Sequence, residues 1–319
     1  MADLRRQQSG SHQVIVCDGG SSDQTCSLAH ASGARIVASR AGRGLQMNQG
    51  AAVANGDDLL FLHADCRLGD DRQLAAALDH IKLHRRQLGH DRVAGHFGLR
   101  FERCEGGHDF MFRFLEAKTR SNRPGTINGD QGLLISRRWF DALGGFDSTL
   151  PFLEDQRIAA KILAHGQWLL LPGELRTSAR RFETEGHGPR LQLMALMMLL
   201  HHAGESEFFQ ISPRVYRPQS QTGRLRLAPF VRELAALVGR RSLKDQARLA
   251  FACGRYARQN AWQLAFALDL LVSNASTALT DGFDQHLARI LDNPAADIAA
   301  IPLVASWLWW QWALSSHVT

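Results

Sequence analysis

Four acidic residues of this chain are candidates for ligand binding or catalysis. Asp18 and Asp65 each follow a short apolar run, and Glu154 and Asp155 open a predicted helix. A carboxylate can bind a divalent cation, contact a ligand hydroxyl group or act as a general base. Each acid also has a structural explanation, because an acid can cap a turn and acids in a first helical turn complement the helix dipole. Both interpretations stay open at this point.

Glycines and arginines accompany these acids. Gly19 and Gly20 follow Asp18 directly and permit the close approach of the backbone to a ligand. Arg40 and Arg43 lie near glycines in a predicted loop, where a guanidinium group can bind phosphate oxygens through its planar fork. A solvated surface loop is the alternative for this segment. The sequence has no GxxxxGK[ST] motif and no GxSxG motif, so it excludes a P-loop ATPase and gives no support to a hydrolase nucleophile elbow.

The elements that must position these residues alternate between strand-like and helix-like segments over the first 170 residues. Residues 59–63 are continuously apolar, as in a strand buried on both faces, and helices are predicted over 70–88 and 153–165. The alternation predicts an α/β domain with a mostly parallel sheet and helices on both faces. Ligands of such sheets bind beyond the carboxyl ends of the strands, where Asp18 and Asp65 lie. From about residue 189 the chain is predicted to be mainly helical.

Composition and charge bound the class of protein. The 319 residues are 45% hydrophobic and 21% charged, which is typical of a globular protein. The five cysteines are odd in number and lack zinc-type spacing, so we expect no disulfide framework and a reducing, cytoplasmic compartment. The net charge of +6 is concentrated in residues 214–258, which contain 11 basic and 2 acidic residues. Residues 298–316 carry no charge and include four tryptophans, a composition suited to a membrane interface.

Six fragments together resemble a bacterial branch of the family 2 glycosyltransferases. In chain order they are VIVCDGGSSDQT, GRGLQMNQGA, LLFLHADCRL, NGDQGLLISRRWFDALGGFD, PFLEDQRIAAKILAHG and TSARRFETEG. The resemblance covers residues 13–205 and implies the GT-A fold, a Rossmann-like α/β fold that binds nucleotide sugars. We therefore predict a GT-A domain over residues 1–205, followed by a basic, mainly helical extension over residues 206–319.

On the side of the sugar donor, the resemblance implies that Asp18 contacts the base or ribose of a nucleotide. Gly19 and Gly20 lie beside it, and Arg43 and Gln46 belong to the same donor-binding region.

His63, Ala64 and Asp65 stand where the family has its DxD-type motif, whose acids hold Mg²⁺ or Mn²⁺ against the diphosphate. Because histidine replaces the first acid, Asp65 is the one unambiguous predicted metal ligand. His63 is either a second ligand, which would suit Mn²⁺ better than Mg²⁺, or a histidine at a strand end that binds a backbone group. These two interpretations are left open.

On the side of the acceptor, the resemblance implies that Asp155 is the catalytic base, with Glu154 beside it in the catalytic pair. Further residues predicted to contact the acceptor or the diphosphate are Gly129, Asp130, Gln131, Arg180 and Arg181. For the two arginines, solvation at the surface is an equal alternative.

The sequence departs from the family pattern at its beginning. Only 13 residues precede Val14, whereas a strand–helix–strand unit needs about 30 residues. We therefore expect the first strand of the fold to be missing, either because the reading frame is annotated from an internal methionine or because the chain is degenerate.

These observations predict an inverting, metal-dependent glycosyltransferase that moves a sugar from a nucleotide-diphosphate sugar to an unidentified acceptor. The basic segment and the tryptophan-rich end predict docking on an anionic membrane at its inner face, which would fit a lipid-linked acceptor. The main alternative is a catalytically degenerate, membrane-associated protein that binds glycans or nucleotides. A nucleotidyltransferase is less well supported because its glycine-rich signature is absent. No nucleic acid partner is predicted, because few aromatic residues are interspersed in the basic segment.

Overall fold

The computed structural model of the protein describes residues 2–8, 12–104, 106–216, 219, 223–272 and 277–316. The chain divides into two compact units, Met1–Ala179 (unit 1) and Arg180–Thr319 (unit 2). The boundary predicted after residue 205 falls inside unit 2. As a division between a catalytic part and an extension, that boundary stays a prediction.

Unit 1 alternates helices and strands, as predicted. Its elements in chain order are α1 (Ala2–Arg5), β1 (Ile15–Asp18), α2 (Thr25–Ala31), β2 (Arg35–Ala38), α3 (Arg43–Val53), β3 (Asp58–Phe61), β4 (Cys66–Leu68), α4 (Gln73–Leu88), β5 (Val93–Glu102), α5 (Asp109–Lys118), a 3₁₀ turn (Gly129–Gln131), β6 (Leu133–Ser136), α6 (Arg137–Ala142), α7 (Glu154–His165) and β7 (Gln167–Ser178).

The strands of unit 1 form two sheets. β1 and β2 pair in parallel, and a five-stranded sheet has the order β3-β6-β5-β7-β4. Only β5 and β7 pair in parallel within the larger sheet, since β6 runs antiparallel to both β3 and β5, and β4 runs antiparallel to β7. The α/β class is confirmed, but the sheet is mixed and not mostly parallel. An alternation of strands and helices does not determine which strands become neighbours, and direction follows from that choice. The prediction of a missing first strand stays a prediction.

Helices cover both faces of the five-stranded sheet. The four residues of β6 are all buried, and the three apolar ones alternate between two hydrophobic clusters because successive strand side chains point to opposite faces. Leu133 and Ile135 pack in one cluster with residues of α6 and α7, whereas Leu134 packs in the other with Ile81 of α4. This part of the fold prediction is confirmed.

Every regular element in the described part of unit 2 is a helix or a helical turn. Its elements are α8 (Arg180–Glu185), α9 (His187–His202), α10 (Ser206–Tyr216), α11 (Ala228–Gly239), α12 (Leu243–Gln259), α13 (Trp262–Val272), α14 (Ala278–Gly282), a π-helical turn (Phe283–Leu287), α15 (Ala288–Leu291) and α16 (Pro294–Ser316). The predicted helical C-terminal region is therefore confirmed.

Ion pairs within unit 2 use part of the basic segment 214–258. Arg241 binds the buried Glu205 through two N–H groups, at 2.5 and 2.9 Å. Arg255 and Arg258 both pair with the buried Asp297 at the start of α16. Residues 217–218 and 220–222 lie outside the described residues. The local charge excess is thus partly neutralised by the packing of α12 against α16, which the count of charges along the sequence does not reveal.

In the described part of the chain, no helix combines the length and the apolar character that are needed to cross a membrane, and this includes the apolar C-terminal helix. Several of its large apolar side chains are nonetheless exposed. Trp309 and Trp310 keep 61% and 55% of their surface exposed, and Leu303 is exposed as well.

Candidate active site

Strand β1 ends in a turn that Asp18 closes. The Asp18 carboxylate accepts hydrogen bonds from the backbone N–H groups of Gly20 and Ser21, at 3.0 Å each. Hydrogen bonding from the Ser21 side chain, and then from the backbone of Ser21 and Gly20, lowers the pKa of Asp18 below its ordinary value. At Gly19 a Cβ atom would lie 3.1 Å from Nε2 of Gln46, so only glycine fits without displacing that side chain. The acid predicted to contact the nucleotide therefore has a structural role in its own turn.

Gln46 ties this turn to the beginning of α3. Its Nε2 donates to the carbonyl oxygen of Cys17 at 2.8 Å, and its Oε1 accepts from the N–H of Gly42 at 3.2 Å. The predicted donor-binding role of Gln46 stays a prediction, with its amide group engaged on both sides.

His63 and Asp130 form a close pair between the end of β3 and the 3₁₀ turn. Nδ1 of His63 lies 2.6 Å from Oδ1 of Asp130. Burial disfavours the imidazolium form, but the hydrogen bond and the charge of Asp130 outweigh burial, so the pKa of His63 is raised. Nε2 of His63 is buried and has no hydrogen-bond partner within the described residues.

Gly129 lies between His63 and Asp155. Its N–H donates to Oδ2 of Asp155 at 2.7 Å. A Cβ atom at position 129 would lie 2.8 Å from Nε2 of His63 and 3.3 Å from that same Asp155 oxygen. His63, Gly129 and Asp155 also line one pocket. The structure thus brings together three segments that are far apart in sequence.

Arg43 and Glu154 form a second contact next to this group. Nε of Arg43 lies 2.9 Å from Oε1 of Glu154, whose side chain is only 1% exposed. Burial raises the pKa of Glu154, and the charge of Arg43 opposes that shift. This pair joins the first residue of α3 to the first residue of α7.

The beginning of α7 has an unusual backbone conformation and is fixed by side-chain hydrogen bonds. Leu153, the residue before the helix, adopts a left-handed conformation with φ of 62°, which is unusual for a residue other than glycine. Gln156 donates from Nε2 to the Ile127 carbonyl oxygen at 2.8 Å and to Oδ1 of Asn128 at 3.0 Å. Asp155 is therefore presented from a helix start that is bound to the segment before Gly129.

The residues predicted to bind a metal ion fit that role unequally. Asp65 is exposed, and no hydrogen bond or ion pair engages it within the part of the chain that the structure describes. An exposed carboxylate suits Mg²⁺ or Mn²⁺, which complete their coordination with water and phosphate oxygens. Because Nδ1 of His63 is bound to Asp130, only Nε2 of His63 could coordinate a metal ion, and that atom is buried against Gly129. Among the described residues, no group of three or more His, Cys, Asp or Glu side chains is arranged to hold a metal ion.

The remaining predicted site residues are Gln131 and three arginines. Gln131 is fully buried and donates from Nε2 to the carbonyl oxygen of Thr126. The prediction that it contacts the acceptor therefore disagrees with the structure, because an amide directed into the core cannot reach a substrate. Arg40 is exposed in unit 1, and Arg180 and Arg181 are exposed at the start of α8 in unit 2. The roles predicted for these arginines stay predictions.

Sequence reasoning overlooked the residues that hold α3 in place. Asn48 donates to the carbonyl oxygen of Phe146 at 2.8 Å and accepts from its N–H at 2.9 Å. Arg137 donates to carbonyl oxygens near the end of α3, including that of Ala51 at 2.8 Å. Both residues lie within fragments that carried the family resemblance, so that resemblance was the available signal, although it did not indicate which atoms meet.

Residues 1–144 match the sequence model of a protein family described as "Glycosyl transferase family 2". This match confirms the resemblance seen in the sequence over those residues. No match is found among curated proteins.

Among solved structures, the chain is similar to TarS 1-349 of S. aureus in complex with UDP. The sequence identity is 16% and the TM-score 0.43, over 94% of this chain and 83% of that one. It is also similar to the mannosyltransferase PcManGT from Pyrobaculum calidifontis in complex with GDP-Man and Mn²⁺. Here the identity is 14% and the TM-score 0.44, over 96% of this chain and 81% of that one. These likenesses are distant, and nothing about the chemistry of this chain is inferred from them.

Proposed function

Because residues 1–144 belong to glycosyl transferase family 2, we propose that this chain is an inverting glycosyltransferase. It would move a sugar from a nucleotide-diphosphate sugar to an acceptor hydroxyl group. The observation that carries this proposal is the position of Asp155, which is bound to Gly129 beside the His63–Asp130 pair. A carboxylate held at a helix start next to groups suited to a diphosphate is the arrangement that this reaction needs.

In the proposed reaction Asp155 acts as the general base. It takes the proton of the acceptor hydroxyl group while the hydroxyl oxygen forms a bond to the anomeric carbon. The bond from that carbon to the diphosphate breaks on the opposite face, and the diphosphate leaves with the electron pair. One attack from the opposite face inverts the configuration of the sugar.

On the donor side, the turn at Asp18 and the start of α3 would hold the nucleotide. Arg43 offers a guanidinium group for the diphosphate, and Asp65 offers a carboxylate for a divalent cation. When bound, that cation would stabilise the negative charge of the departing diphosphate.

The test is transfer or hydrolysis of UDP-, GDP- and dTDP-sugars with Mn²⁺, comparing wild type with Asp155→Asn. We expect activity to fall by about 10²-fold or more, the usual contribution of a general base, with nucleotide binding unchanged. Asp109→Asn is the matched control, because Asp109 also opens a helix of unit 1 but is exposed and pairs with Arg103. Equal rates in wild type and Asp155→Asn would refute the role of Asp155. Nucleotide binding without turnover would instead favour the degenerate binding protein.

For unit 2 we propose docking on the anionic inner face of a membrane, as a peripheral protein in the cytoplasm with a lipid-linked acceptor. Two observations support it. Exposed tryptophans lie on α16, where residues 298–316 carry no charge. Exposed basic residues lie on α11 and α12, and Arg232, Arg240 and Lys244 have no ion-pair partner among the described residues. Apolar side chains and positive charges on helices that pack together complement an anionic lipid surface.

Flotation with vesicles of phosphatidylserine and phosphatidylcholine tests this second proposal. Wild type should float with the vesicles, and a variant with serine at positions 309, 310 and 312 should not. A wild-type chain that stays at the bottom of the gradient would rule the docking out.

A further inference from the structure

The pair of Arg43 and Glu154 has a feature that the proposed chemistry does not use. Glu154 is 1% exposed, yet neither of its carboxylate oxygens has a hydrogen-bond partner of good geometry in the described residues. Its one ion pair in that part of the chain is the contact with Nε of Arg43 at 2.9 Å. A buried carboxylate is costly unless it is paired, so Glu154 depends on Arg43.

The environment of Glu154 argues against a role in proton transfer. The charged groups that act on it are Arg43, Asp155 and His63. A base must lie within hydrogen-bond reach of the proton that it removes, and a fully buried carboxylate cannot reach an acceptor hydroxyl group. Asp155, the next residue, is partly exposed and already bound to Gly129.

One edge of the Arg43 guanidinium group contacts Glu154, and the other edge is available to a ligand. The Arg43 side chain is 47% exposed, and its contact with Glu154 is through Nε at 2.9 Å. Neither of its terminal N–H₂ groups makes a hydrogen bond within the described residues. An arginine anchored through Nε keeps the outer edge of its fork free for two parallel bonds to phosphate oxygens.

The backbone fixes the relative position of the two residues. At Gly44 a Cβ atom would lie 3.1 Å from the carbonyl oxygen of Asp147 and 3.4 Å from Cβ of Glu154. The first turn of α3 is thus packed tightly against the first residue of α7. Arg43 and Glu154 meet across this contact, which leaves the guanidinium group little freedom to turn away.

We propose that Glu154 is a positioning residue, which binds Nε of Arg43 and directs the free edge of the guanidinium group toward the diphosphate of the donor. This inference rests on the proposed function, because it requires a nucleotide-diphosphate ligand. It replaces the catalytic role that the sequence predicts for Glu154. The first two residues of α7 then contribute to the handling of both substrates. Glu154 orients Arg43 toward the donor, and Asp155 takes the proton of the acceptor.

The experiment measures the affinity of UDP and GDP by calorimetry for wild type, Glu154→Gln, Arg43→Gln and the double variant. We expect each single substitution to weaken binding about tenfold, and the double variant to be no weaker than the weaker single one. Arg43→Lys should not restore the affinity, because lysine keeps the charge but has neither Nε nor a fork. In the transfer assay, Glu154→Gln should raise KM for the sugar donor about as much as it weakens nucleotide binding, because both depend on the contact of Arg43 with the diphosphate.

Arg85→Gln is the matched control, because Arg85 and Asp58 form another ion pair of unit 1 that is mostly buried. It should lower the midpoint of thermal unfolding and leave nucleotide affinity unchanged. Losses that add in the double variant, or a fall in turnover without a change in affinity for Glu154→Gln, would overturn the inference. Coupled nucleotide binding without any sugar transfer would leave it standing and refute only the proposed reaction.

Discussion

At the residue scale, the candidate site depends on how closely His63 approaches the backbone at Gly129. The sequence indicated His63 as a metal ligand or a structural histidine, and the structure shows its Nδ1 bound to Asp130. Both residues were predicted site residues, but nothing in their spacing predicted that they pair with each other.

Gly129→Ala tests whether this close approach matters. The added Cβ atom would lie 2.8 Å from Nε2 of His63, so the ring must shift and its bond to Asp130 must weaken. We expect a loss of stability of about 1–3 kcal/mol, as for other insertions into packed sites, together with reduced sugar transfer. Denaturant unfolding and a transfer assay measure the two effects. Gly106→Ala is the control, since a Cβ atom there meets no atom within 4 Å, and an equal loss in both variants would contradict the prediction.

Glu154 should make stability depend on pH. Its pKa is raised above the ordinary value of 4.5 chiefly by burial, so the folded chain binds this proton more tightly than the unfolded chain does. The stability that this proton contributes is therefore present below pH 4.5 and is lost as the pH rises through the folded-state pKa. Glu154→Gln lacks this titration. Its free energy of unfolding relative to wild type should increase as the pH rises above that value, and a difference that is independent of pH would contradict the assignment.

At the element scale, helix α3 carries residues of the candidate site, and contacts with other segments fix its position. Gln46 binds its first turn to β1, Asn48 binds its middle to Phe146, and Arg137 binds its last turn. The helix runs from Arg43 to Val53. The contacts that orient this helix join residues about 30 to 100 positions apart, so no local pattern could predict them.

Asn48→Ala should weaken the attachment of the middle of α3 to Phe146. The substitution leaves the N–H and the carbonyl group of Phe146 without their partners, and each unpaired buried group costs about 1–3 kcal/mol. We expect a loss of about 2 kcal/mol in the free energy of unfolding. Asn55→Ala, in the exposed loop just after α3, should change it by less than about 0.5 kcal/mol. Similar losses in both variants would show that the contact with Phe146 adds nothing.

At the scale of the whole molecule, the excess positive charge is concentrated in one segment of unit 2. Residues 214–258 carry a large excess of basic residues, but Arg241, Arg255 and Arg258 are paired within unit 2. The charge available to an anionic membrane is therefore smaller than the sequence count implies, and it is carried by exposed residues such as Arg232, Arg240 and Lys244.

Replacing these three residues with glutamine tests their contribution to membrane binding. Each basic side chain near an anionic surface contributes about 1 kcal/mol, so the triple variant should bind vesicles about 100-fold more weakly. The control replaces Lys82, Arg86 and Arg138, exposed residues of unit 1, with glutamine and so changes the net charge equally. Equal weakening in both triple variants would mean that overall charge, and not this surface of unit 2, controls binding.

The sequence by itself determined the α/β pattern of unit 1, the helical nature of unit 2 and the match of residues 1–144 to a family model. These properties are encoded locally, in apolar periodicity, helix-ending glycines and contiguous motifs. Helices such as α7, predicted over residues 153–165 and found at Glu154–His165, therefore differ by only a residue or so at their ends.

Only the tertiary structure decided which residues meet. It made the five-stranded sheet mixed, placed Gln131 in the core, paired His63 with Asp130 and buried Glu154 against Arg43. Each of these outcomes depends on contacts between segments far apart in the chain, and on which groups lose their water when those segments pack. Spacing along a sequence does not carry that information, so Asp18, Asp65, Glu154 and Asp155 acquire their different surroundings only when the chain folds around them.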